Sequence, residues 1–252
     1  MKYLFWLAFP LFIIQESSAQ SAFLEQQKTF PKVKNAFNVK NDSIKRAFQK
    51  ANLNWPPKEI YIRSFKYDSQ LEVWGRNNSN ETFKLVKTYK ICALSGTMGP
   101  KRMDGDFQVP EGFYYINEFR PNSSYHLALG INYPNVSDQL LSDSIKPGSD
   151  IFIHGNCITQ GCIPIQNDQI EELYLMAAYA HAAGQDFIPV HIFPIRFNIY
   201  KNMEFLKKSS KDEVEYKLFI NKMQIVFEYF EQNKKLPVIA ISSEGNYSIY
   251  TN

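Results

Sequence analysis

Ile153-His154-Gly155-Asn156-Cys157-Ile158-Thr159-Gln160-Gly161-Cys162 is the densest run of reactive side chains in the chain. It begins at the end of an apolar strand candidate, 151–153, and stops just before a segment of helical period. A short loop held between two rigid elements is a favourable place for a nucleophile. A thiol attacks as the thiolate and needs a base to reach that form near neutral pH. His154 lies eight residues before Cys162, an interval a loop can fold into hydrogen-bond reach. Gly161 lets the backbone turn beside the thiol, and N–H groups around Gly161 and Cys162 suit a developing oxyanion.

The residues alone leave three readings open. Cys157 and Cys162 can be small buried hydrophobes with His154 a core histidine. The same residues can be metal ligands, with His126, His181 or His191 as the fourth, although His-x2-Cys-x4-Cys fits no common zinc spacing closely. The third reading is a Cys-His nucleophilic pair.

Downstream of the motif, Ile170, Leu173, Met176, Ala177 and Ala180 fall on one helical face, capped by Asn167 or Asp168 and stopped by Gly184. Residues 188–197 read as a strand broken by Pro189 and Pro194, which suits a sheet edge. Residues 212–233 read as a second helix with Val214, Leu218, Ile225 and Phe230 as core candidates. Upstream, residues 59–153 change to period two, with Ile60/Ile62, Leu71/Val73 and Phe83/Leu85 alternating with polar residues. The Gly-, Pro- and charge-rich stretch 96–112 is a long loop. Short strands at this spacing predict a mainly β (α+β) fold, a curved and mostly antiparallel sheet with helical flanks.

Residues 21–57 carry helical spacing, interrupted at Pro31, with Asn41-Asp42-Ser43 expected to cap a second run and Trp55-Pro56-Pro57 ending it. Met1-Lys2 followed by the apolar run 3–14 and by Ser17-Ser18-Ala19-Gln20 predicts a secretory signal peptide, 1–20, cut after Ala19 or Gln20. That run is too short for a membrane span, so no transmembrane segment is expected in the processed chain. The expected organisation is 1–20 signal peptide, 21–57 helical segment, 58–200 catalytic domain and 201–252 helical extension. Across the 252 residues, 28 Lys+Arg against 25 Asp+Glu give a net charge of +3, which argues against nucleic acid as a partner. Three cysteines are too few for a disulfide scaffold.

At the motif the sequence resembles the L,D-transpeptidase catalytic-domain (YkuD-type) family, YafK-like branch. Ile153-His154-Gly155 matches the strand end of that signature, and Thr159-Gln160-Gly161-Cys162 its nucleophile loop. Arg63-Ser64-Phe65-Lys66, Leu71-Glu72-Val73-Trp74, Leu94-Ser95-Gly96, Gly99-Pro100-Lys101, residues 105–114, Asn132-Tyr133-Pro134-Asn135 and Val190-His191-Ile192-Phe193-Pro194 follow in family order. The resemblance covers about 58–200.

It implies an exported enzyme of the periplasm or cell envelope that needs no cofactor or metal and acts on peptidoglycan stem peptides of the meso-diaminopimelate type. Cys162 would be the nucleophile and His154 the general base, with Gly161, Thr159 and Gly155 supporting the loop and oxyanion. A Cys thioester acyl-enzyme would be resolved by an amine, giving cross-links and hence a role in wall organisation and cell shape, or by water, giving a peptidoglycan hydrolase or amidase. A non-catalytic wall-binding protein is the remaining alternative. Two departures from the family stand out. Pro164 occupies a position where many members carry Arg, leaving Lys101, Arg102 or Arg196 to supply a cation, and the His154-to-Cys162 interval is short.

The other cysteines and histidines have structural expectations. Cys92, in the run Ile91-Cys92-Ala93-Leu94, reads as a buried strand residue, and Cys157 as a free thiol packed at the site. A redox latch between Cys157 and Cys162 is the alternative for Cys157. His126 and His191 read as core or supporting residues, and His181 as facing solvent.

Overall fold

The computed structural model describes residues 15–209 and 214–251, with side chains from residue 22 onward. The apolar run of the expected signal peptide, 3–14, lies outside the described residues. The expected cut after Ala19 or Gln20 falls within α1 (Gln15–Lys28). Among the described α1 side chains, Phe23 meets Phe119 and His181, and Gln27 accepts a hydrogen bond from Tyr174. Among the described residues no helix is long and apolar enough to cross a membrane.

Pro31 stands at the first position of α2 (Pro31–Lys50), where its missing N–H costs nothing. The helix then runs unbroken through Asn41-Asp42-Ser43, against the expected cap. Asn41 accepts from the Trp55 indole, and Ser43 bonds back to the Lys40 carbonyl and across to Glu172. Asn41 thus finds its partner outside the backbone ladder, and Ser43 adds a bond to a carbonyl of the preceding turn without interrupting the helix. Val33, Ala36, Ile44 and Phe48 bury one face.

The sheet matches the expected class. Eight strands run in the order β3-β2-β1-β8-β4-β5-β6-β7. They are β1 (Glu59–Phe65), β2 (Gln70–Arg76), β3 (Lys84–Lys90), β4 (Gly112–Arg120), β5 (Ala128–Ile131), β6 (Phe152–His154), β7 (Ile163–Pro164) and β8 (Ile188–Phe193). Only the β1–β8 and β6–β7 pairs are parallel. α2 and α4 (Asn167–Ala182) cover one face, where alternate residues such as Ile62, Leu129, Ile153, Ile163 and Val190 form the main core.

β8 is central rather than an edge. Pro189 pairs only with Tyr115 of β4, because the β1 ladder begins one residue later at Ile62–Val190, and Pro194 follows the last strand residue. The prolines therefore flank the doubly paired segment, which is why a central strand tolerates them.

The C-terminal part is not purely helical. α5 (Tyr200–Ser209) and α6 (Val214–Asn233) precede a hairpin, β9 (Val238–Ile241) and β10 (Tyr247–Tyr250). α6 buries Met223, Val226, Phe227 and Phe230, whereas Val214 and Leu218 are exposed and Ile225 is half-buried. The apolar stripe expected from the sequence is thus rotated, with Phe230 common to both. A short helix absent from the sequence reading, α3 (Val136–Leu141), carries a capping box between Asn135 and Asp138. The hairpin rests on it through Asn135–Tyr247 and Ser137–Gly245 hydrogen bonds.

Candidate active site

The site is built by register. β6 pairs antiparallel with β5, matching Ala128 to His154 and Gly130 to Phe152, and pairs parallel with β7, matching Ile153 to Ile163. Side chains alternate across a sheet, so Ile153 and Ile163 enter the core while Phe152, His154 and Cys162 share the opposite face. Strand pairing therefore sets the two residues singled out in the sequence on neighbouring segments, His154 at the end of β6 and Cys162 just before β7.

The loop between them is fixed by its own chemistry. A Cβ on Gly155 would meet Asn167 Oδ1 at 2.5 Å and the Tyr125 carbonyl oxygen at 2.8 Å, so no side chain fits there. Asn167, at the start of α4, also accepts the Asn156 N–H at 2.9 Å. The Thr159 hydroxyl donates to the Cys162 carbonyl at 2.7 Å and accepts from the Gly161 N–H at 3.1 Å. Gly161 has φ of +131°, a conformation open to glycine, and a Cβ there would approach the Gln108 carbonyl at 3.1 Å. Because its N–H is engaged by Thr159, Gly161 supports the loop rather than presenting a free oxyanion donor.

His154 is buried, and its Nδ1 lies 2.5 Å from the Gly155 carbonyl oxygen. A carbonyl only accepts, so Nδ1 carries the proton and Nε2 keeps its lone pair. Tyr125 lies over the imidazole, ring centroids 4.6 Å apart. Lys32 of α2 donates to the Ser123 and His126 carbonyls and so anchors the loop that carries Tyr125. Burial lowers the His154 pKa, partly offset by the Gly155 bond. Cys162 is the one free cysteine and is half-buried. Its sulfur accepts from the Phe152 N–H at 3.4 Å and donates to the Asp150 carbonyl at 3.6 Å. Burial raises its pKa, the Phe152 bond lowers it, Asp150 raises it and Lys101 lowers it. Both shifts favour a neutral thiol and a neutral imidazole at rest. The two side chains share a face without a hydrogen bond between them.

The remaining expectations divide. Cys157 is not a free thiol: it forms a disulfide with Cys92, Cα atoms 5.6 Å apart. That bond removes Cys157 from a metal-ligand set and from a latch on Cys162. Cys92 is half-buried just beyond β3, not a buried strand residue. His126 bonds Glu171 at 2.7 Å, and His181 packs on Phe23 rather than facing solvent. His191 bonds Tyr61 at 2.8 Å and burial lowers its pKa to about 3. Among the described residues no three His, Cys, Asp or Glu side chains converge as a metal site.

Of the proposed replacement cations, Arg196 pairs with Glu72 at 2.7 Å and Arg102 with Asp138 at 3.4 Å. Lys101, paired with Asp106 at 2.5 Å, is the one whose charge acts on Cys162. The 96–112 loop carrying it is held by fully buried Lys66, a role the sequence reading did not assign. Lys66 donates to the Thr97, Gly99 and Val109 carbonyls and to Glu111 at 2.7–3.2 Å.

Residues 61–192 match the L,D-transpeptidase catalytic domain family. The chain belongs to that family. "Putative L,D-transpeptidase YafK" of Escherichia coli strain K12 is 33% identical over 192 residues, covering 75% of this chain and 73% of the relative, and its counterpart in Escherichia coli O157:H7 aligns equally well. Among solved structures, the helical cell shape determining protein Pgp2 from Campylobacter jejuni aligns at 19% identity, TM-score 0.44, over 73% of both chains. Bdellovibrio bacteriovorus Bd1075 aligns at 20% identity, TM-score 0.39, over 78% of this chain and 84% of its own. Membership gives the chain an L,D-transpeptidase-type, peptidoglycan-related role.

Proposed function

We propose that the chain is an exported cysteine acyltransferase of the cell envelope that acts on peptidoglycan stem peptides through Cys162. The observation that carries this reading is the contact of His154 Nδ1 with the Gly155 carbonyl. Its Nδ1 proton is fixed on the Gly155 carbonyl, which leaves Nε2 basic on the face it shares with the only free thiol. Starting from a neutral pair, His154 Nε2 takes the thiol proton as Sγ bonds to the carbonyl carbon at the L-centre of the diamino acid. The C–N bond to the departing residue then breaks, and the imidazolium returns its proton to that amine. A thioester remains. An acceptor amine attacks it, its proton passes to His154, and the C–S bond breaks to restore the thiol. The separation of thiol and imidazole suits a resting state that tightens when substrate enters.

The Cys92–Cys157 disulfide supports export, since such bonds persist mainly in oxidising compartments. The test is to incubate purified protein with stem tetrapeptides and weigh the products. Cross-linked dimers with release of the terminal residue are expected. Trimmed monomers alone would make water the acceptor, and unchanged peptide would contradict the reading.

A further inference from the structure

A cleft of about 480 Å³ is lined by Phe30, Arg120, Asn122, Ser124, Tyr125 and Phe152, with Ala128 also in its wall. It does not contain the thiol or the imidazole, but it borders both. The Tyr125 ring lies over the His154 imidazole, and the Phe152 N–H reaches the Cys162 sulfur. From that border the cleft runs away from the nucleophile, across β6 and β5, to Arg120 on β4. Ala128 of β5 pairs with His154 on one side and with Arg120 on the other. β4 stands three strand positions from β7, about 14 Å at about 4.8 Å per strand.

Aromatic rings and uncharged hydrogen-bonding groups make up most of this wall. Tyr125 is 43% exposed, Phe30 is half-buried, and the Arg120 guanidinium lies 4.2 Å from the Phe152 ring centroid. Arg120 is the one charged residue lining the cleft among the described residues. Its Nε donates to Glu118 and its Nη2 stands 3.7 Å from Asp150, so its charge is already matched. The exposed side chains of Asn122 and Ser124 make no hydrogen bond among the described residues. They leave a carboxamide and a hydroxyl, donors and acceptors without charge, facing a ligand. An aromatic wall rimmed by such groups suits a neutral molecule with an apolar ring face and an edge of hydroxyl and amide groups. N-acetylated pyranoses have that chemistry.

We propose that this cleft is a subsite for the N-acetylated glycan strand from which the stem peptide hangs. This rests on the reading of Cys162 as the nucleophile that the stem peptide acylates. A lactyl group and three residues separate the sugar from the attacked carbonyl. Four chain units of about 3.4 Å reach about 14 Å, the span from the thiol to β4. Sugar held in the cleft therefore presents its own stem to Cys162, raising the local concentration of the peptide. Asn122 and Ser124 are then specificity residues that meet substrate far from the bond changes, and their contribution falls on KM.

The test compares wild-type protein with the double variant N122A/S124A on two substrates, a free stem tetrapeptide and the same tetrapeptide on its disaccharide. A peptide-free tetrasaccharide of N-acetylglucosamine and N-acetylmuramic acid, titrated by NMR, reads the cleft without turnover. Wild-type protein should favour the disaccharide-linked peptide at least about 10-fold in kcat/KM, through KM, and should bind the tetrasaccharide saturably. N122A/S124A should bring the ratio towards one and weaken tetrasaccharide binding, with iodoacetamide alkylation of Cys162 unchanged. Equal use of the two substrates by the wild type, an unchanged ratio in the variant, or no saturable tetrasaccharide binding would overturn the subsite. Acylation by neither peptide would instead overturn the reading of Cys162, and the tetrasaccharide titration would then decide the cleft by itself.

Discussion

Cys92 and Cys157 are joined by a disulfide that closes 65 residues of chain and ties the end of β3 to the loop carrying Cys162. The nucleophile candidate is thereby left as the one free thiol, five residues from a cysteine that cannot compete with it. Thiol titration of denatured, unreduced protein should give one group per chain; three would contradict the pairing. By loop-closure entropy a crosslink of this span stabilises by about 4 kcal/mol at most, with roughly 2–4 typical. The double variant C92S/C157S should lose stability on that scale in urea melts while keeping a reactive Cys162.

Gly155 has no room for a side chain. Gly155→Ala should push the Tyr125 backbone and Asn167 away and destabilise the fold by about 1–3 kcal/mol, measured by chemical denaturation. Wild-type stability would show that the loop relaxes freely.

Lys66 lies fully buried against Glu111 and three carbonyls. Lys66→Met should cost about 3–5 kcal/mol, because it leaves a buried carboxylate uncompensated. The 96–112 loop should become the region of fastest added hydrogen exchange. Loss confined to another region would contradict the anchoring role.

Burial holds the His154 imidazole below its ordinary value of 6.5. A protonated imidazole cannot accept the thiol proton, so activity should rise as pH increases through the depressed pKa. The acidic limb of kcat/KM should therefore lie below pH 6.5 and disappear with the residual rate of His154→Gln. A limb at or above that pH would contradict His154 as a buried neutral base.

Local features were legible in the sequence and long-range ones were not. The strand end at His154, the Thr159–Gly161–Cys162 turn and the helix from Asn167 are written in adjacent residues, and the structure follows them. Pro189 suggested an edge because sequence does not reveal that its second neighbour, β1, starts pairing one residue later. The Cys92–Cys157 bond joins the segment after β3 to the loop before β7, the two strands at opposite ends of the sheet order, so neither cysteine's local pattern announces it. In α6 the apolar residues outnumber the buried positions, so periodicity alone chose the wrong stripe around Phe230.

Cys162 Sγ is the proposed site of acylation. Wild-type protein and Cys162→Ala would each be mixed with a stem tetrapeptide, quenched in acid and weighed intact, with the adduct mapped by proteolysis. A thioester of the tripeptide on Cys162 in the wild type, and no adduct in the folded variant, is the predicted result. The same adduct on Cys162→Ala, or none on active wild-type protein, would contradict it.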